Sequence, residues 1–537
     1  MTTRAPAADA RLSFLATGGQ AGLRAEIVGA KAHGLMRMAD AGLPVPPGFV
    51  LSTTACAEYH ARGGRLDQDA VSLVSQGIEH IERATGRRFG GGRKPLLVAV
   101  RSGAPVSMPG MLETMLNVGL CDSTVDGLLR ATGDMRFVWD SYRRLIESYA
   151  EVVDGCEPAA FSEVVGEALR QEDVPAVAEL DASGLQEVVG QLQGRYRSQA
   201  GRPFPQEPMD QLLGAVEGVM RSWNSPRAVE YRRLKHLTGL TGTAVVVQAM
   251  VFGNTGMTSG AGVGFTRNPA TGRPDLYVDF LLNAQGEDVV SGRTAVADSQ
   301  TLISAIPALA DELGAVSRRL EAIFSDAQDF EFTVEDGKLW LLQTRTAKRT
   351  PLAALRIACD LADEGLIDEG TALRRLQPYD LDAISVRRLG PGRGDKPIGT
   401  GVPASAGTAA GRIALTVAEA QSMAGSGDPV ILVRGEASTA DIAALEVCAG
   451  LLTAAGARTS HAAVVARELG VACLVGCSRL VIDPAAGSLA IGDWHGHAGD
   501  FITIDGASGE IYPGALQLVE ERPAELIERV RGWQRRH

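Results

Sequence analysis

A Gly/Pro-rich run, L-G-P-G-R-G-D-K-P at Leu389–Pro397, constrains this chain more than any other feature. Such a stretch continues neither a helix nor a central strand, so it reads as a linker between bodies that each need a core of their own. The length agrees, because 537 residues exceed what one hydrophobic core organises. With 45% hydrophobic and 22% charged residues the chain has the balance of an ordinary globular protein and ample material for large cores.

Before the linker, short apolar runs alternate with Gly and Pro over about 20–120, and L-L-V-A-V-R-S-G from Leu96 has the pattern of a buried strand ending in a turn. Between about 121 and 200 the apolar positions recur at three and four, as in R-F-V-W-D-S-Y-R-R-L-I-E-S-Y-A from Arg136, which predicts a helical insertion. Strands are predicted again at Thr243–Val251, Asp275–Phe280, Phe330–Val334 and Lys338–Leu342, the last two joined by a hairpin turn at Asp336-Gly337. Residues 351 to about 385 read as helices. After the linker come strands such as V-I-L-V-R at Val430–Arg434, short helices, and a terminal amphipathic helix from about Pro523 with Leu526, Val530 and Trp533 on one side.

The formal net charge of -12 and the lack of a basic stripe argue against a nucleic-acid partner. The sequence opens without an apolar signal segment and contains no run of roughly eighteen apolar residues, so the expectation is a cytoplasmic protein with no membrane partner. Seven cysteines, an odd number, do not make a disulfide framework, and Cys473 and Cys477 lack the two further ligands a zinc site needs; buried thiols are the expectation.

Three segments have chemical potential. In T-S-H-A-A-V-V-A-R-E-L-G, Thr459 or Ser460 is an N-cap and Gly470 a C-terminal stop, which puts His461 in the first turn of a helix. Backbone N–H groups there favour a bound phosphate, and an imidazole nitrogen is a nucleophile for phosphorus; a surface histidine beside a cap is the plainer alternative. The run V-R-S-G-A-P-V-S-M-P-G-M from Val100 sets Arg101 at a strand end before a loop of small residues, and G-N-T-G-M-T-S-G-A-G-V-G from Gly253 to Gly264 reads as a second such loop; each is equally compatible with a simple hairpin. In D-F-E-F-T-V-E-D-G-K-L-W-L-L-Q-T-R, alternation puts Asp329 and Glu331 on one face of a strand and Gln343 and Arg345 on one face of its partner. Paired carboxylates suit a bridging Mg2+, or else cross-strand ion pairs.

Taken together, V-G-A-K-A-H-G-L, L-P-V-P-P-G-F, R-S-G-A-P-V-S-M-P-G-M, F-T-R-N-P-A-T-G, N-A-Q-G-E-D-V-V-S-G, Q-D-F-E-F and T-S-H-A-A-V-V-A-R, in this order, resemble the pyruvate phosphate dikinase family over nearly the whole chain. The resemblance implies an α/β (α+β) fold: an ATP-grasp domain over 1–350 with the helical insertion, a helical and Gly/Pro linker over 351–397, a swivelling phosphohistidine domain over 398–514, and the terminal helix over 515–537. It implies Lys31 and Arg101 as phosphate-contacting cations, Gln248 on the strand that meets the adenine, Glu287 near the nucleotide, and Asp329 and Glu331 as Mg2+ ligands. Gln343 and Arg345 would line the phosphate end, His461 would be phosphorylated, and Thr459 matches a regulatory phosphosite of some members. There are departures: the family's G-G-K-G-A-N-L is G-A-K-A-H-G-L here, with Ala30 and Ala32, G-G-x-T-S-H is G-A-R-T-S-H with Ala457, and Met257 stands where a glutamate is common.

Members of that family continue into a barrel that binds pyruvate or phosphoenolpyruvate, whereas this sequence ends soon after I-D-G-A-S-G-E-I-Y. The expectation is therefore ATP-dependent phosphorylation of His461, with inorganic phosphate as co-substrate and the final acceptor bound by a separate pyruvate- or phosphoenolpyruvate-binding protein. Alternatives are a phosphohistidine carrier or ATP-sensing regulator docking through its terminal helix, and a phosphotransferase acting on another small molecule. A homodimer is one assembly open to it.

Overall fold

The computed structural model describes residues 11–15, 23–106, 108, 111–286, 289, 306–391, 396–437, 441–456, 458 and 460–537, with backbone alone at 442 and 461. The chain divides into two compact units: 1–255 with Trp340–Gln343, and 256–339 with 344–537.

The first unit is built on an antiparallel sheet in the order Leu12–Leu15, Gly48–Leu51, Ala244–Ala249, Val98–Gly103, Thr114–Val118. Residues directly opposite in such a sheet share a face. Val98, Val100, Val245 and Val247 therefore point together into a large core completed by Tyr142, Leu145, Tyr149, Val216 and Val219 from the helices. The helical segment does not stop at about 200: after Asp122–Thr132, Met135–Asp154, Pro158–Gln171 and Ala182–Ala200 come Pro208–Ser222 and Pro226–Leu234. Both later helices begin with Pro, whose fixed φ suits a first helical turn, so the prolines that break up this stretch are starts.

The second unit holds two larger sheets. One has the order Lys338–Thr346 (its residues 340–343 counting with the first unit), Gln328–Glu335, Gly260–Phe265, Tyr277–Leu282. The predicted hairpin is present, with both Asp336 (φ 50) and Gly337 (φ 77) left-handed as a tight hairpin turn requires. The small-residue loop read over Gly253–Gly264 is corrected, since its second half is a buried strand. A Cβ on Gly260, Gly262 or Gly264 would run into the rings of Phe280, Phe332 and Phe330 respectively, so these glycines make room for aromatic rings on neighbouring strands.

The other sheet has eight strands, in the order Gly399–Thr400, Glu510–Pro513, Phe501–Asp505, Thr408–Ala414, Val430–Arg434, Gly450–Thr453, Ala472–Val475, Val402–Ser405. Thr408–Ala414, Val430–Arg434, Gly450–Thr453 and Ala472–Val475 are parallel, which requires crossovers. One crossover is the helix His461–Leu469, and its buried Ala462, Ala463 and Ala466 let it lie close on the sheet.

The terminal helix is Ala524–Gln534, but its apolar side is not open to a partner. Ile527, Val530 and Trp533 are buried against Leu355, Ala358, Cys359 and Leu376 of the helices Pro351–Asp363 and Glu369–Leu376. Ahead of it, Leu518–Glu521 pairs with Val386–Leu389, so the segment before the eight-stranded sheet and the segment after it are built together.

Candidate active site

In the first unit, the helix Ala25–Asp40 is broken at Gly29, where φ is 80. Any side chain there would strike the carbonyl of Gly103. The Ala30 amide donates to the Ala104 carbonyl at 3.0 Å, so the turn carrying Lys31 lies against the end of the strand carrying Arg101. Of the glycines in the family's lysine segment, the one this geometry needs is kept, and Ala30 and Ala32 are accommodated. Arg101 donates from Nη1 to the Leu342 carbonyl at 3.3 Å, while the Leu341 amide donates to the Pro44 carbonyl at 2.7 Å. Those bonds fix the segment that ends at Gln343. Gln248 lies on the same sheet face as Arg101, buried, donating to the Pro46 carbonyl at 3.0 Å.

In the second unit, Asp329 stands opposite Phe265, which stands opposite Tyr277, and Glu331 stands opposite Val263, which stands opposite Asp279, giving two cross-strand rows on one sheet face. Both Asp329 oxygens accept from Arg345 Nε, at 2.8 and 2.7 Å. Burial nevertheless pushes the Asp329 carboxyl up to about 6, with Arg345 opposing and Glu331 adding to the shift. Asp329 and Glu331 on one face, one of them buried and needing a cation to stay ionised, form a donor set that fits Mg2+ shared with phosphate oxygens. Among the described residues no group of three or more His, Cys, Asp or Glu is placed to hold a metal unaided.

His461 is the first residue of its helix, Ser460 is the N-cap accepting from the Ala463 amide at 3.4 Å, and Gly470 ends the helix at φ 70. Glu287 and Thr459 lie outside the described residues, as do Ser107, Pro109 and Gly110 of the loop after Arg101.

Three arginines escaped the sequence reading. Arg467, fully buried, donates from Nε and Nη2 to the Ala404 carbonyl at 3.0 and 2.8 Å and from Nη2 to the Arg458 carbonyl at 3.0 Å, tying the loop before His461 to a neighbouring strand. Arg458 stacks over the Tyr277 ring at 4.7 Å and lies 3.5 Å from Asp279. Arg267, buried, donates to Glu321 at 2.9 and 2.8 Å and to Glu364 at 2.7 Å. Charged residues inside motifs otherwise made of small or apolar ones were the available signal for Arg267 and Arg467. All seven cysteines are buried, and no helix among the described residues is long and apolar enough to cross a membrane.

Comparison with known proteins accords with this arrangement. Residues 66–305 match the family described as pyruvate phosphate dikinase, AMP/ATP-binding domain, and residues 426–509 match PEP-utilising enzyme, mobile domain. The class is thus a nucleotide-binding ATP-grasp domain with a helical insertion joined to a phosphohistidine β/α domain. The chain belongs to the pyruvate phosphate dikinase family. It is 42% identical over 518 residues to the pyruvate, phosphate dikinase of Clostridium symbiosum, covering 96% of this chain and 59% of that protein. It is likewise 42% identical over 509 residues to the chloroplastic enzyme of Mesembryanthemum crystallinum (94% and 54%) and over 518 residues to the enzyme of Rhizobium meliloti (94% and 58%). The chain spans a little over half the length of these relatives.

Proposed function

We propose that this chain phosphorylates itself on His461 with ATP and passes the phosphoryl group to an acceptor held by another protein or domain, one that binds pyruvate or phosphoenolpyruvate. The observation that carries the reading is in the second unit. Arg458 and Arg467, on either side of His461 in sequence, lie against Tyr277, Asp279 and Phe265, on the sheet face that bears Asp329 and Glu331.

In this reading the lone pair of the neutral imidazole forms an N–P bond at the β-phosphorus of ATP. The bond from that phosphorus to the oxygen bridging it to the α-phosphate breaks, and AMP leaves with the electron pair. Inorganic phosphate then attacks the γ-phosphorus and departs as pyrophosphate, leaving one phosphoryl group on the histidine. An unperturbed imidazole with a pKa of roughly 6.5 is largely neutral at pH 7 and above. Lys31 and Arg101 offset phosphate charge and hold the chain of phosphates in line, and positioning with electrostatics accounts for most of such a transfer. Asp329 and Glu331 are the residues that would hold Mg2+, which when bound supplies further positive charge to the phosphate oxygens. Arg345, now on Asp329, is positioned to turn to phosphate, and Gln343 and Glu287 complete the nucleotide set. We assign these roles to 1–350, phosphoryl carriage to 398–514, and regulation, where it exists, to Thr459.

Incubation with Mg-ATP followed by intact-mass measurement and phosphopeptide mapping tests the reading. An acid-labile adduct on His461 with release of AMP is expected; no adduct, or one on another residue, overturns it. Formation of phosphoenolpyruvate on adding pyruvate and a barrel domain from a relative tests the acceptor. A docking role for the terminal helix loses its basis, because that helix's apolar side is covered within the chain.

A further inference from the structure

Seven residues separate the strand Gly450–Thr453 from the helix that begins at His461. Arg458, three residues before the histidine, sends its side chain away from its own sheet. Its guanidinium sits 4.7 Å over the ring of Tyr277, and its Nε is 3.5 Å from Asp279 Oδ1. Tyr277 and Asp279 alternate along one strand, so they share a face, and they occupy the same two cross-strand rows as Asp329 and Glu331. The grip on Arg458 and the carboxylates of the nucleotide-side sheet are thus parts of one surface.

Of the other contacts across this face, Arg467 lies over the Phe265 ring at 5.4 Å from within the helix His461–Leu469, and two more differ in kind. Tyr277 Oη donates to the Pro403 carbonyl at 3.1 Å, and Lys348 pairs with Glu468 at 2.6 Å on exposed side chains, where an ion pair contributes little. Asp279 is only 2% exposed, and a buried carboxylate depends on the cation beside it. Of these contacts Arg458 is the nearest in sequence to His461. It also occupies the position that the family pattern G-G-x-T-S-H leaves open, so its role follows from the contacts alone.

We propose that Arg458 is a positioning residue for the charging step: by holding Tyr277 and Asp279 it seats the loop before His461 against the sheet that carries Asp329 and Glu331. This rests on the proposed phosphorylation of His461. Arg458 touches no reacting atom in this scheme; it sets where the imidazole is delivered.

The test compares the wild-type chain with Arg458→Met, Arg458→Lys, Asp279→Asn and the Arg458→Met/Asp279→Asn double variant. The first readout is the single-turnover rate of His461 phosphorylation across ATP concentrations. A displacement of about 1 Å is enough for roughly a 100-fold loss of rate. Arg458→Met is expected to lose rate on that scale at saturating ATP with the half-saturating concentration unchanged, Arg458→Lys to recover part of it, and the double variant to be no slower than the slower single variant. The second readout needs no phosphoryl transfer. Zero-length carbodiimide coupling of the Lys348 amine to the Glu468 carboxylate, whose Nζ and Oε1 lie 2.6 Å apart, reports seating as a mapped cross-linked peptide, and Arg458→Met is expected to lower its yield.

A wild-type chain that charges alongside an Arg458→Met variant that charges equally fast overturns the proposal. So do additive single-variant effects. A wild-type chain that never charges defeats the proposed function instead, and the yield of the Lys348–Glu468 cross-link then still decides whether Arg458 seats the chain before His461. Asp279→Asn carries the test if Arg458→Met fails to fold.

Discussion

Arg267 and Arg458 both reach from one element to acidic groups on another, and they are built in opposite ways. Arg267 is 2% exposed and meets three carboxylates: Glu321 through two nitrogens, Glu364 at 2.7 Å and Asp360 at 3.4 Å. Its partners lie on the helix Pro307–Phe324 and on the helix Pro351–Asp363 with its C-cap Glu364, so one guanidinium joins two helices to a strand end. Arg458 meets the Asp279 carboxylate at 3.5 Å, beyond the length of a strong charge-assisted bond, and an aromatic ring, whose attraction for a cation tolerates changes in direction. The first cluster is fully bonded and suited to permanence. The second is suited to contacts made and released, as the proposed charging and delivery of His461 would require.

The largest effect expected separates chemistry from both clusters. His461→Asn should form no adduct with Mg-ATP, measured by intact mass, while its urea unfolding midpoint stays within error of wild type; a remaining adduct means another residue carries the phosphoryl group. Arg267→Met strands the buried Glu321 carboxylate, while Asp360 and Glu364 reach solvent, and breaking a buried ion pair of this kind costs about 3–5 kcal/mol. Its urea unfolding should shift accordingly, with the charging rate per folded molecule unchanged, and a normal stability would erase the contrast with Arg458. Trp533→Ala removes the largest side chain from the cluster on the other side of Pro351–Asp363 and is expected to cost about 3 kcal/mol by the same measurement. A silent Trp533→Ala would mean the terminal helix adds little to the body that Arg267 braces. The smallest effect is at Ser460→Ala, where losing the N-cap should cost about 1 kcal/mol. Amide hydrogen exchange confined to His461–Leu469 would register it, and unchanged protection there would remove the cap from the account.

What the sequence disclosed was what depends on neighbours along the chain. The Asp336-Gly337 turn, the strand Val430–Arg434 and the cap and stop around His461–Leu469 stand where local rules put them. The strand Gly260–Phe265 did not read as a strand, because the phenylalanines that fill the space above its glycines come from Gln328–Glu335 and Tyr277–Leu282. The cover on the terminal helix was invisible for the same reason, since its partners lie more than a whole domain earlier in the chain. Of the candidate site, the alternation of Asp329 with Glu331 was legible, and so was the strand-end place of Arg101. That Gly29 breaks its helix to bring the turn carrying Lys31 against Gly103 and Ala104 was not, because the carbonyl that demands a glycine belongs to Gly103. Arg458 and Asp279 escaped because an ion pair between distant segments leaves no periodic trace.

The pairing of Val386–Leu389 with Leu518–Glu521 makes the eight-stranded body a guest inserted into a host. The Gly390 amide donates to the Gln517 carbonyl at 2.9 Å, so the chain enters and leaves the guest through one doorway. A body hung from a single doorway turns about it without pulling its host apart, because both strands of the attachment twist together. The same geometry makes the guest removable: joining residue 390 to residue 517 through a short glycine bridge should leave the helices Pro351–Asp363, Glu369–Leu376 and Ala524–Gln534 packed as they are, a host without its passenger.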